Sequence, residues 1–536
     1  MFYENGIWVA SCGDEHLNIV PKMANRHGLI AGATGTGKTV TLKVLAESFS
    51  DAGVPVFLAD VKGDLAGMCE SGTDTEDMRE RIAAFGLSGT GFGYQAYPVC
   101  FWDIYGEKGL PLRTTISEMG PVLLARLMDL NNTQSDILTI VFRIADDEDL
   151  LLLDTKDLRA MLNYVGENNK EYSGRYGNLP RQSINAILRN LVALEEQGAD
   201  KFFGEPALDI HDWFCTDRTS RGMINILHSE SLINNPMMYS TFMLWMLSEL
   251  FEIMPEAGDC EKPKMVFFFD EAHLLFKGAP KALLSKIEQV VKLIRSKGIG
   301  VYFITQSPGD IPDEVLGQLG NKIQHALHAY TPADQRAVRA AADSFRVNPE
   351  FDTRDVLTRL GIGEALVSFL EADGVPAMVK RARILPPQSK MGPIDDKKRQ
   401  SEIQGTTLYT RYGTMFDRDS AYEFFQRKQA ADEEAAQKAK EEAERQKAEA
   451  RARKEAEKTA AREEAARLRA EERERQATAN ARKRAVSSVA KTAGGTIGRE
   501  IGNEIGKSVG GTFGKKLGGN LGASIGRGIL GTFFGR

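Results

Sequence analysis

The chain is 536 residues long, more than one hydrophobic core usually serves, so a large domain with an insertion and appendages is expected. Hydrophobic residues make up 42% of it, yet no run of about 18 uncharged apolar residues offers an ordinary membrane-spanning helix. A formal net charge of −6 excludes a wholly basic surface, while leaving open a ring that is acidic outside and basic in its channel.

The first residues, Met1-Phe2-Tyr3-Glu4-Asn5, lack the basic-then-apolar layout of a signal peptide, so a cytoplasmic location is expected. Cys12, Cys69, Cys100, Cys215 and Cys260 are scattered without a CxxC pair. They read as reduced, mostly buried residues rather than as a disulfide framework or a zinc site.

Apolar, β-branched runs at His27 to Ile30, Val54 to Ala59 and Pro98 to Phe101 predict strands within residues 1–115. Further runs at Met223 to Leu227, Met265 to Phe269, Gly300 to Ile304 and Ile323 to His328 predict strands within residues 216–385. Continuous apolar runs belong to strands buried on both faces, so the two segments read as halves of one α/β core with a mostly parallel sheet and helices on both sides. Between them, residues 116–215 carry helical patterns such as Ile184 to Leu191 and no strand signal, which predicts a helical insertion. Pro386-Pro387 and the polar stretch after it predict a linker over 386–421.

Residues 422–485 are almost wholly Ala, Glu, Lys, Arg and Gln, with opposite charges often four apart, and predict one long solvated helix. Leu468 is nearly its only large aliphatic residue, too little for a coiled-coil seam. In the tail, 486–536, glycine recurs every fourth residue from Gly494 to Gly526, with an apolar residue such as Ile497, Ile501 or Phe513 before each repeat from the second onward. Small residues at that spacing form a helix groove suited to close packing. The tail's formal charge of +5 adds an anionic membrane as a second target beside self-association.

The densest chemistry lies at Gly32-Ala33-Thr34-Gly35-Thr36-Gly37-Lys38-Thr39. In GxxxxGK[ST] the glycines let backbone N–H groups converge on phosphates at the start of a helix, here continuing through Val40. Lys38 is expected to reach the β- and γ-phosphates of ATP, and Thr39 to ligate Mg2+. Asp270 ends an apolar strand where a carboxylate can hold the same Mg2+, and Glu271 beside it can act as general base, with a structural salt bridge as the alternative. Thr305-Gln306-Ser307 follows another strand, so Gln306 is expected to sense the γ-phosphate unless its amide merely caps a helix. Val56 to Asp64 is a further strand ending in a carboxylate, Asp60.

Taken together, GATGTGKT, the strand ending in DVKGDLAG, FFFDEAH and ITQSP resemble the HerA/FtsK branch of the P-loop ATPases over about residues 6 to 385. They are most similar to the bacterial HerA-like (YjgR-like) proteins with a helical insertion. The resemblance implies a RecA-like sheet and a ring, usually a homo-hexamer, with ATP at subunit boundaries and DNA through the centre, as in a translocase or helicase. It also implies an arginine supplied by the neighbouring subunit; Arg295 matches the segment that carries it, with Arg336 and Arg339 as rivals. HerA proteins generally carry an N-terminal β-barrel of a hundred or so residues that docks a nuclease, whereas here fewer than thirty residues precede the P-loop strand, so a nuclease partnership is doubtful. The alternative reading is a membrane-attached or self-assembling ATPase scaffold organised by the long helix and the glycine repeat.

Overall fold

Apolar runs become the parallel strands of one large sheet in the computed structural model, which describes residues 1–258, 260–277 and 281–487. The strands are β1 (Phe2–Tyr3), β2 (Gly6–Cys12), β3 (Glu15–Ile19), β4 (Gly28–Ala31), β5 (Val56–Asp60), β6 (Val99–Asp103), β7 (Leu110–Pro111), β8 (Ile224–His228), β9 (Met265–Phe269), β10 (Ile299–Thr305), β11 (Asn321–Gln324), β12 (Glu364–Ser368) and β13 (Lys380–Ile384). Their spatial order is β1-β2-β13-β12-β11-β4-β10-β9-β5-β8-β6-β7, with β3 on β2. From β11 across to β7 every neighbour runs parallel. From β12 to β1 the pairing is antiparallel. β4, β5, β9 and β10 are buried along their whole length, as strands covered on both faces must be. Phe57 stacks on Phe267 at 5.1 Å and on Trp213 at 4.7 Å between sheet and helix layer.

Three sequence expectations change. The strand expected at Ile323 to His328 is Asn321–Gln324, because beyond it the chain leaves the ladder to follow the loop after β4. There Ala326 O accepts from Ala33 N at 2.9 Å. Residues 386–421 are packed rather than a free linker: Tyr412 is fully buried and meets Trp102 edge-on at 5.3 Å, and the Arg399 guanidinium lies 4.8 Å over Phe101. The anchors are too few, and separated by too many charges, to show as a periodic pattern. All five cysteines are free, but only Cys69 and Cys100 are buried.

Between β7 and β8 the chain forms helices only, among them Ile116–Leu127, Asn132–Asp147, Thr155–Glu167 and Arg181–Glu195. Thr115/Glu118, Asn131/Gln134 and Asp154/Asp157 close capping boxes at the first three, which explains why each starts where it does. Strands β1–β3, β12 and β13, missed from sequence, extend the sheet beyond β11; β1, β3 and β13 have mixed patterns, whereas β2 carries the buried apolar run Ile7 to Ala10 that could have signalled it. 

The helix Ala421–Ser487 begins on the body formed by residues 1–430, where Asp157 Oδ1 accepts from Ser420 Oγ at 2.6 Å and from Tyr422 N at 2.9 Å. At about 1.5 Å rise per residue it is roughly 100 Å long. Beyond residue 430 its described side chains are exposed. Ion pairs one turn apart, such as Glu434–Lys438 at 2.6 Å and Arg445–Glu449 at 3.0 Å, support it by about 0.3–0.5 kcal/mol each. The glycine repeat lies outside the described residues. Among those described, no helix is long and apolar enough to cross a membrane.

Candidate nucleotide site

Strand β4 ends at Ala31 and helix α1 (Lys38–Asp51) begins seven positions later, leaving a loop that must reverse within a few residues. Gly32, Gly35 and Gly37 take φ of +154°, +81° and +112°, a region that a side chain resists. At Gly32 a Cβ would also fall 2.5 Å from that of His325. Thr36 Oγ1 donates to Ala33 O at 2.7 Å and holds the loop round. No side chain caps α1, so its first N–H groups are left for a ligand in the loop's concavity. Lys38 Nζ spans that concavity, donating to Gly32 O at 2.6 Å and Ala33 O at 3.0 Å. Burial lowers its pKa, against the pull of Glu271 and Asp270. Thr34 and Gly35 are exposed, while Thr39 and Val40 are half-buried at the helix start.

The carboxylates come from β9, two strands from β4 across β10. Burial, then the charge of Glu271, raises the pKa of Asp270 to about 7, and its Oδ1 accepts from Glu271 N at 2.9 Å. Tyr239 OH fixes the backbone by donating to Asp270 O at 2.7 Å. Glu271 is left-handed at φ +49°, a conformation costing a non-glycine residue about 1 kcal/mol or more. Its Oε2 is buried without a hydrogen bond. His273 Nδ1 lies 3.3 Å away, near enough for an ion pair when protonated but not aligned as a donor, so the structural salt bridge is weakly supported. A strained backbone presenting an unsatisfied carboxylate oxygen is what a site built around a ligand shows.

These donors fit a magnesium ion held mainly by substrate. Among the described residues no cluster of three or more His, Cys, Asp or Glu could hold a metal alone. The carboxylate of Asp270 and the hydroxyl of Thr39 would supply two oxygen donors and leave the rest to phosphate and water, as Mg2+ prefers.

The other expected residues are placed unequally. Gln306 follows β10, where Thr305 pairs with Ala31, and so stands beside the first loop glycine. It lines a cavity of about 490 Å3 with Ala33, Thr34 and His273. Asp310 closes the turn, accepting from Thr305 Oγ1 at 2.7 Å and Ser307 N at 3.0 Å, and the Gln306 amide caps nothing among the described residues. Arg295 is not brought to this site: it lies exposed just before β10, at the opposite edge of the sheet, roughly 20 Å away at about 3.3 Å per strand residue. Arg336 and Arg339 are exposed on the helix Pro332–Asp343, whose Asp334 and Ala337 border the Gln306 cavity. Asp60 ends β5 beside β9; burial and Asp64 raise its pKa to about 6.

Sequence reasoning missed His325. Its Nδ1 faces the carbonyl of Glu364 at 3.0 Å and must therefore donate, which leaves Nε2 to accept from Thr41 Oγ1 at 2.8 Å. Its backbone N–H binds Ala31 O at 2.7 Å, and Gly363 N donates to Thr36 O at 3.2 Å. Burial holds its pKa near 4, so the neutral ring clamps loop, helix α1 and β12 together. A histidine inside an apolar run gives no hint of this. We expect His325→Leu to weaken nucleotide binding about tenfold, since each buried partner left unsatisfied costs about 1–3 kcal/mol. His325→Gln, able to donate and accept, keeps most of it; equal affinities for all three proteins in a nucleotide titration would contradict the role.

A parallel sheet with a glycine-rich loop after one strand and paired carboxylates after another is the RecA-like P-loop ATPase fold. The chain belongs to the family described as Helicase HerA-like C-terminal, whose sequence model matches residues 8–517. It is 24% identical over 368 residues to the probable helicase MJ1565 of Methanocaldococcus jannaschii, covering 67% of this chain and 63% of that protein. It is 21% identical over 353 residues to the DNA double-strand break repair helicase HerA of Sulfolobus acidocaldarius, covering 64% and 62%. The chain thus spans less than two thirds of either relative. Among solved structures, VirB4 of Thermoanaerobacter pseudethanolicus is similar at a TM-score of 0.44 and 17% identity, covering 72% of this chain and 96% of that one. The plasmid coupling protein TrwB with an ATP analogue is similar at a TM-score of 0.46 and 13% identity, covering 69% and 87%.

Proposed function

We propose that the protein is an ATP-hydrolysing motor of the HerA/FtsK type, a cytoplasmic homo-hexameric ring that moves DNA. The observation carrying this reading is the convergence of Lys38 with Asp270 and the strained, unsatisfied Glu271 at one edge of a parallel sheet. Family membership supports the same reading.

In this mechanism the backbone from Gly32 to Val40 cradles the phosphates of ATP, and Lys38 turns from the loop carbonyls to the β- and γ-phosphates. Thr39 and Asp270 would hold Mg2+, which when bound would neutralise phosphate charge. Glu271 takes a proton from water as its oxygen attacks the γ-phosphorus; the bond from that phosphorus to the β-phosphate's bridging oxygen breaks, leaving ADP and inorganic phosphate. Gln306 contacts the γ-phosphate and reports its loss. Arg295 cannot serve its own site from the far edge of the sheet, and instead enters the neighbour's to stabilise charge on the γ-phosphate.

Arg295→Ala and Lys38→Ala rings, each inactive alone, should regain turnover when mixed, because some boundaries then pair an intact loop with an intact arginine. No recovery despite verified co-assembly would shift the role to Arg336 or Arg339. The motor reading itself is tested by ATP turnover with and without single- and double-stranded DNA: stimulation is expected, and turnover indifferent to both forms would overturn it. The long solvated helix favours a spacer to a partner as a second reading, tested by pull-down with and without residues 431–536.

A further inference from the structure

Strand order separates the two ends of a bound nucleotide. The carboxylates after β9 lie two strands from β4 across β10, while β12 lies two strands from β4 on the other side, across β11. Phosphates form one chain around the start of α1, so ATP whose γ-phosphate faces Asp270 and Glu271 sends its nucleoside towards β12. There, at the same edge of the sheet, the turn before β12 touches the loop. Gly363 N donates to Thr36 O at 3.2 Å, and a Cβ on Gly37 would come within 3.3 Å of Gly363 N. Beside Gly363 opens a cavity of about 440 Å3, inside the range of roughly 300–1,000 Å3 usual for small-molecule sites.

The cavity has walls of two kinds. Phe85, Ile362 and Ile384 supply apolar surface, and Ile362 is 78% exposed. Arginines supply the rest. Arg381 is held by Glu364 at 2.7 Å and Arg359 approaches Asp355 at 4.0 Å, whereas the Arg81 side chain forms no ion pair or hydrogen bond among the described residues. Arg81 comes from the helix Glu76–Ala84 and lies against Gly363, where a Cβ would fall 2.9 Å from its Nη2. At φ +78° Gly363 suits that close approach twice over, by its backbone and by its missing side chain. A free planar cation beside exposed aliphatic surface fits a flat, uncharged heteroaromatic ring, which can lie on the guanidinium face and cover the isoleucine. A phosphate would leave that apolar surface in water, and Lys38 with the loop already provides for phosphates.

We propose that this cavity holds the base of ATP, stacked on the Arg81 guanidinium and packed against Ile362. The proposal rests on the ATPase reading of the loop and deepens it: the loop holds the phosphates, and Arg81 with the turn before β12 holds the base. Contacts to the face of a ring favour a nucleotide over bare polyphosphate without demanding one particular purine. The contact between Gly363 and Thr36 joins the two halves of the site.

The test sets a non-hydrolysable ATP analogue beside inorganic tripolyphosphate, which offers the loop its phosphates without a base, in equilibrium titrations of the full chain. The parent should bind the nucleotide about tenfold more tightly or better. Arg81→Ala/Ile362→Ser should lose about tenfold or more in nucleotide affinity and keep its tripolyphosphate affinity, which also shows that the loop is intact. Arg81→Lys, with the charge but not the plane, should lose most of the same nucleotide affinity. Full rescue by lysine would make Arg81 a phosphate contact and overturn the base site. An equal loss for both ligands in the double variant, or no loss for either, overturns it while the ATPase reading stands. A parent that binds both ligands alike overturns the base site alone, and one that binds neither overturns both readings.

Discussion

Replacing Glu271 by Gln is expected to lower ATP turnover by at least two orders of magnitude while nucleotide binding survives. The two effects separate because the carboxylate accepts a proton from water but is not needed to hold phosphate, whereas the amide keeps the shape and loses the basicity. The backbone argues for the same separation. Glu271 is held left-handed between Asp270, whose carbonyl is pinned by Tyr239, and Ala272, whose N–H binds Ile304 O at 2.9 Å. Glutamine fits that frame as well as glutamate, so folding should not change. Steady-state hydrolysis set beside equilibrium titration with an ATP analogue checks the point. Near-normal hydrolysis would remove Glu271 from the chemistry, and lost binding would make it a ligand instead.

Lys38→Ala should act earlier, on binding itself. The lysine faces the loop's concavity, where its ammonium donates to two loop carbonyls. ATP then replaces neutral acceptors by charged ones, and hydrogen bonds to charged groups contribute about 1.5–3 kcal/mol. A loss of roughly 10- to 100-fold in ATP affinity follows, with a larger loss in turnover because charge grows on the γ-phosphate in the transition state. Deleting Nζ leaves Ala33 O its bond from Thr36 Oγ1 at 2.7 Å and removes one further bond, that to Gly32 O, so thermal stability without nucleotide should fall little. Unchanged ATP affinity would refute the phosphate-cradling role of the loop; a collapse of stability would assign the lysine to the fold.

Much of this was readable from sequence because its causes are local. Glycines that tolerate positive φ, a helix starting at Lys38 and four large apolar residues ahead of Asp270 act within a few residues of themselves. The charged helix was equally legible, since composition and four-residue spacing decide a helix whose described side chains beyond residue 430 are exposed. Tertiary structure decided what depends on which strands become neighbours. Placing β10 between β4 and β9 brings Gln306 beside Gly32 and carries Arg295 to the far edge, because a strand sends its two ends to opposite sides of a sheet. Residues 386–421 read as polar linker, yet a few anchors such as Tyr412 tie them down. His325 was invisible for the same reason. The tautomer of its ring is not fixed until distant segments are packed together, since it depends on what each nitrogen faces in space.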